Sequence, residues 1–142
     1  MSLRKSLLSA LRESDTTAIA RMRADSPEPL SLAEETFREL SLTDVDLSGI
    51  DLSNTEWQDC MLDRIRFDAC DLSGSFFSGS TLLSCGFVGS RLEGTSFDGC
   101  VLRRTLIEAS VVSGLEIANT QLHDCVLAEL ELDEVDWNSV AF

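Results

Sequence analysis

From Leu42 to Phe142 every fifth residue is a large apolar one, without exception: Leu42, Leu47, Leu52, Trp57, Leu62, Phe67, Leu72, Phe77 and so on to Trp137 and Phe142. Two residues before each lies a second unbroken column, Leu40 to Val140, built only of Cys, Ser, Thr, Val, Ile and Leu. A helix would leave each fifth residue about 140° out of phase, and a flat strand would return it to the opposite face. The two inward residues of each unit are spaced as in a strand, so the phase is restored only if the backbone turns a corner in every unit. The pattern predicts a coil of short extended segments.

The corners are marked. Two residues after the large column, the series from Asp44 to Ser139 holds seven of the eight glycines, together with Asn54, Asn119, Asp44, Asp59 and Asp124, residues that tolerate positive φ. Both prolines lie outside the repeats, as a ladder of paired strands requires. Trp57, Phe67, Phe77, Phe87 and Phe97 are ten apart with Leu at the alternate centres. If like stacks on like, a ten-residue super-period needs an even number of sides, and four sides give roughly 20 residues per turn with strands stacked on strands.

The runs Asp46-Leu-Ser-Gly-Ile, Asp51-Leu-Ser-Asn-Thr and Asp71-Leu-Ser-Gly-Ser, with the looser Arg91-Leu-Glu-Gly-Thr, resemble the pentapeptide-repeat proteins. The Ala that the family favours two residues before the centre is replaced here by Cys, Ser, Thr or larger residues. The resemblance implies an all-β solenoid, a right-handed quadrilateral β-helix, and a bacterial, cytoplasmic protein.

The first 25 residues differ in kind. Leu3, Leu7 and Leu11 share a helical face with Leu8 beside them, and Ser14 or Asp15 is placed to cap a second helix through Ala18, Ile19 and Met22. The expected division is therefore an N-terminal helical cap, 1–30, and a β-helix, 31–142, whose first rung begins near Leu32. The basic, leucine-bearing start also suits a membrane or partner helix, but no apolar run of even seven residues occurs, which argues against a signal peptide.

Composition adds charge and thiols. The chain carries 25 acids against 11 Lys and Arg, net −14. Leu72 to Ser90 is uncharged, and beyond Glu108 come Glu116, Asp124, Glu129, Glu131, Asp133, Glu134 and Asp136 with no base among them. All five cysteines, Cys60, Cys70, Cys85, Cys100 and Cys125, fall in the small inward column and read as buried thiols of a reducing compartment. Asp44 to Thr55 starts like a calcium loop but lacks the twelfth-position Glu. His123 beside Asp124 has no nucleophile motif near it. Neither catalytic, metal nor cofactor residues are therefore expected.

What remains is surface. Val88, Leu106 and Val126 fall on one side of a four-sided coil, with Leu83 and Val101 on the adjoining one. The expected function is a non-enzymatic protein-interaction module whose partner-binding residues are Glu129, Glu131, Asp133, Glu134, Asp136, Leu83, Val88, Leu106 and Val126. The last repeat, with Trp137, Val140 and Phe142, is expected to join two copies end to end as a homodimer. The alternative follows from the resemblance: some family members mimic DNA and bind type II topoisomerases. Here the repeats would carry one negative charge per roughly 2 Å of rod, close to the ~1.7 Å of duplex DNA. Such a protein would occupy the channel of DNA gyrase or topoisomerase IV, without binding nucleic acid or a membrane itself.

Overall fold

In the computed structural model, which describes residues 2–132, 135 and 137–142, the chain is a parallel β-solenoid of about five turns preceded by two short helices. Residue i stands against residue i+20 throughout, so one turn is four five-residue sides. The first side is a row of single bridges, Ser31 to Asp51, Asp51 to Asp71, Asp71 to Arg91 and Arg91 to Val111. The second begins with strands β1 (Thr36–Arg38) and β3 (Glu56–Gln58) and continues as bridges through Phe76, Ser96 and Glu116. The third is a five-stranded sheet of β2 (Ser41–Thr43), β4 (Met61–Asp63), β5 (Thr81–Leu83), β7 (Val101–Arg103) and β9 (Gln121–His123). The fourth starts as bridges at Asp46 and Arg66 and becomes the sheet of β6 (Gly86–Val88), β8 (Leu106–Glu108) and β10 (Val126–Ala128).

The corner column turns as its residues suggest: every described position from Asp44 to Ser139 has positive φ, glycine or not. Two kinds of corner alternate. Where Gly or Asn holds the corner, as at Gly49, Asn54 and Gly74, the unit usually closes a tight turn, with the next residue's N–H donating back to the central carbonyl, as Ile50 does to Leu47 at 3.1 Å. Where Asp, Arg or Ser holds it, as at Asp59, Arg64 and Ser84, the three preceding residues are usually a strand instead, Ser139 being an exception. Gly79 has a reason of its own: a Cβ there would come within 2.6 Å of the Asp59 carboxylate one rung below.

Inside, the large column forms two aromatic stacks on opposite walls. Trp57, Phe77 and Phe97 stack on the second side, with centroids 5.8 and 5.0 Å apart, while Phe67 and Phe87 stack on the fourth at 4.9 Å. Each ring meets the opposite stack edge to face. The small column does more than make room for them. Its hydroxyls and thiols donate to the central carbonyl of the rung before: Ser75 to Leu52 at 2.7 Å, Ser90 to Phe67 at 2.5 Å, Thr95 to Leu72 at 2.7 Å, Cys85 to Leu62 at 3.3 Å. A donor is needed as well as a small volume, which explains why Ala is displaced by Ser, Thr and Cys.

The N-terminal segment packs on the same core. Helix α1 (Leu3–Arg12) is capped by Ser2 and α2 (Thr16–Asp25) by Asp15, whose carboxylate accepts from the Ala18 N–H. Between them Ser14 takes φ 53°, and the N–H groups of Ser14 and Asp15 close on Leu11 and Ala10, the double bond of a Schellman turn. Leu7, Leu11 and Ile19 are buried against the first rung. Leu3 departs from the expected face: it is 47% exposed, the contact beginning one turn later. Arg4 reaches Glu35 and the Ala33 carbonyl, and Arg23 reaches Asp46 and the Ser48 carbonyl, so each helix is tied to the coil by one arginine. Leu30 and Leu32 are buried in the first rung.

Candidate functional site

The register redistributes the charge around the coil. From Asp51 onward, among the described residues, the first side carries Asp51, Asp71, Glu93 and Glu131, and the second Glu56, Asp59, Asp98 and Glu116. The only cation on these two sides over that span is Arg91, and it is paired with Glu93 at 3.0 Å. The third side differs: with its following corner, Asp44, Asp63 and Asp124 are matched by Arg64, Arg103 and Arg104. The fourth side keeps a smaller excess, Asp68, Glu108 and Glu129 against Arg66, so acidic charge is greatest on the first and second sides and is cancelled on the third.

Part of the acidic surface also serves the backbone. The carboxylates of Asp46, Asp51 and Asp71 each accept the N–H two residues on, from Ser48, Ser53 and Ser73, at 2.9 to 3.0 Å. The Asp46 carboxyl is held below the ordinary 3.8: burial pushes it up, but the Ser48 hydrogen bonds together with Arg23 and Arg66 overcome this. Asp51 and Asp71 stand directly opposite in consecutive rungs, a like-charge pair that opposes folding. Local capping explains each aspartate singly but not their stacking.

Leu106 and Val126 are register partners on the fourth side, with Val88 on the same sheet opposite Glu108, while Leu83 lies on the third side opposite Arg103. Val126 is well exposed at 53%, whereas Val88, Leu106 and Leu83 are half-buried. Glu129 and Glu131 border an open groove of about 600 Å³ whose floor is the segment 109–113, with Val111 half-exposed in it. Asp133, Glu134 and Asp136 lie outside the described residues. At the last rung, Trp137 and Phe142 stack on each other at 6.3 Å; Phe142 is 81% exposed and Val140 half-buried.

Four of the five thiols are buried, and burial pushes Cys70, Cys85 and Cys100 up to about 12 and raises Cys60. Cys125 corrects the expectation for the column: it is only half-buried, as are Leu127 and Leu130 in the same turn. All five are free. His123 turns to Gln121 rather than Asp124, at 3.3 Å. Among the described residues no group of His, Cys, Asp and Glu is arranged to hold a metal, and no helix is long and apolar enough to cross a membrane.

Sequence reasoning missed two features of this surface: the sorting of charge by side, and the isolation of Arg103 and Arg104. Among the described residues these two arginines have no ion pair, unlike Arg64, Arg66 and Arg91. The sorting was legible once i was set against i+20; the isolation of Arg104 was not, since that register sets it against Asp124 as it sets Arg64 against Asp44.

The description of the matching family is a pentapeptide repeat region, and it fits residues 29–97. No curated protein matches the chain. Among solved structures, a pentapeptide repeat protein of the cyanobacterium Cyanothece 51142 superposes with a TM-score of 0.64 at 17% identity, over 78% of this chain and 86% of that one. A pentapeptide repeat protein of the Arabidopsis thaliana thylakoid lumen gives 0.46 at 23%, over 67% and 59%. QnrB1, a plasmid-mediated fluoroquinolone resistance protein, gives 0.31 at 20%, over 80% and 77%. The repeat, its four-sided coil and the family match agree: residues 29–97 are a pentapeptide repeat region, in a chain with the fold of the pentapeptide-repeat β-helices.

Proposed function

We propose that the protein is a non-catalytic interaction module whose first and second sides dock a basic surface of another protein. In this reading the coil, 31–142, carries the contact and the segment 1–30 serves as its cap. The observation that carries it is the sorting of charge. Acids retained for solubility alone have no reason to avoid one side, yet the third side is balanced while the first and second hold eight described acids against Arg91 from Asp51 onward. Stacking Asp51 on Asp71 opposes folding, and a basic partner would relieve it. The apolar pair of Leu106 and Val126, with Val88 in the adjoining row and Glu129 and Glu131 beyond, extends the same contact around the next edge.

A second reading narrows the partner to a type II topoisomerase, the protein occupying its DNA channel. It is favoured by the acidic excess of the first and second sides, which suits the basic lining of such a channel. End-to-end pairing through Trp137, Val140 and Phe142 would double the length of that rod.

Capture from a host lysate tests the first reading with three baits: the wild type, a variant with Asp51, Asp71 and Glu93 neutralised to Asn or Gln, and one with Asp44, Asp63 and Asp124 neutralised. A partner lost only with the first set supports it; one lost equally with both, or with neither, contradicts it. Inhibition of gyrase supercoiling in competition with DNA, relieved by added salt, tests the second.

A further inference from the structure

The uncharged stretch lies within the acidic face rather than beside it. Leu72 to Ser90, almost one whole rung, carries no charge. On the second side its outward residues are Phe76 and Ser78, set between the corners Gly74 and Gly79. The rung before presents Glu56 and Asp59 on that side, and the rung after presents Asp98. Phe76 is 46% exposed, and no other ring meets it among the described residues. We propose that the second side seats an arginine of the partner protein, its guanidinium laid flat on the Phe76 ring between Glu56 and Asp98. This seat rests on the docking of a basic surface proposed above and supplies the side chain that anchors it.

The register puts the three residues together. Glu56 is the partner of Phe76 one rung earlier, and Ser96, the partner one rung later, stands two residues before Asp98. With rungs about 4.8 Å apart, the two carboxylates flank the ring from opposite directions, about 10 Å apart along the coil. Neither is in an ion pair among the described residues. Glu56 accepts from Gln58 at 2.9 Å and Asp98 from Asn119 at 3.2 Å, each through one oxygen, and the other oxygen of each has no hydrogen bond among the described residues.

That arrangement selects for guanidinium chemistry. A guanidinium is planar and weakly hydrated, so when stacked on a ring it still directs N–H groups sideways, here to carboxylates on both flanks. A lysine ammonium is a compact, strongly hydrated charge that reaches only one of them. Gly74, Ser78 and Gly79 give the ring no tall neighbour in its own rung, which lets a partner's main chain come close. A cation at Phe76 or Ser78 would occupy Glu56 and Asp98 from within the chain; the uncharged rung leaves them open.

Fluorescence anisotropy of labelled hexa-arginine and hexalysine at low salt tests this on the full chain, with circular dichroism and the melting temperature as checks of folding. The wild type should bind both peptides, hexa-arginine more tightly. Phe76→Leu keeps an apolar side chain and removes the ring; it should weaken hexa-arginine about two- to fivefold, the size of one exposed cation–π contact, and hexalysine much less. Phe76→Trp should preserve the preference. Glu56→Gln with Asp98→Asn should weaken hexa-arginine more than Asp44→Asn with Asp124→Asn, which removes the same charge at the edge of the third side. A preference unchanged by Phe76→Leu, equal weakening of the two peptides, or equal loss from the two pairs of acids would each overturn the arginine seat. In those cases the docking reading still stands if neutralising Asp51, Asp71 and Glu93 weakens both peptides. A wild type that binds neither peptide would overturn both.

Discussion

Replacing Phe87 by Ala removes the ring that joins the two aromatic stacks in the middle of the coil. Phe87 is fully buried, stacked on Phe67 at 4.9 Å and met edge-on by Phe77 at 6.3 Å and Phe97 at 5.7 Å. A buried Phe→Ala change costs about 3–5 kcal/mol, depending on how far the site collapses. Collapse is restricted here, because the neighbouring rings are held by a continuous backbone ladder, and three ring contacts worth roughly 0.5–1.5 kcal/mol each go with the side chain. The expected loss is therefore near the upper end, about 4–5 kcal/mol, a large fraction of the ~5–15 kcal/mol of a typical domain. At an m-value of about 2 kcal/mol/M the urea midpoint should fall by roughly 2 M. Fluorescence of Trp57, buried in the same stacks, and far-UV circular dichroism report the transition. Phe76→Ala, one residue outside the column and 46% exposed, should stay within about 0.5 kcal/mol. A Phe87→Ala loss under about 2 kcal/mol, or equal losses at the two positions, would refute the inward assignment.

Thiol reactivity should follow depth: in native protein at pH 8, Cys70, Cys85 and Cys100, pushed up to about 12, and Cys60 should alkylate slowly, while half-buried Cys125 reacts first. Mass spectrometry of time-stopped samples reads the order, and equal rates would contradict it. The Asp46 carboxylate, held below its ordinary 3.8, stabilises the folded state above that pH and loses this contribution as pH falls through its lowered value. Asp46→Asn should therefore lower the melting temperature at pH 7 and make little difference near pH 2; a deficit equal at both would show that the charge is not responsible.

The fold was legible because two columns and a corner are enough to determine it. The period of five forces a turn in every unit, the glycine column locates that turn, and the ten-residue alternation of Trp57, Phe67, Phe77 with Leu restricts the coil to an even number of sides, which the register shows to be four. Choosing strand or tight turn for each unit was not legible. Ser139 and Gly89 show why: Ser139 sits in a tight-turn unit and Gly89 in a strand unit, the reverse of the prevailing rule, so neighbouring rungs override the local residue. The hydroxyl ladder was hidden as well, since the small column reads as a matter of volume until the carbonyl of the preceding rung is seen beside Ser75 or Ser90. The candidate surface was legible in content rather than arrangement. Read along the chain, acidity is densest after Glu108; read around the coil, Asp51, Asp71 and Glu93 join it on the first side, and Asp63 faces away beside cations. Leu83 and Leu106, outward by column, are nonetheless half-buried.

Carbodiimide footprinting of the carboxylates, with and without the captured partner and read by mass spectrometry, tests the central claim most directly. The account predicts that Asp51, Asp71 and Glu93 are protected in the complex while Asp44 and Asp124 at the edge of the third side label as in the free protein. Uniform labelling of all five, or protection confined to Asp44 and Asp124, would contradict it.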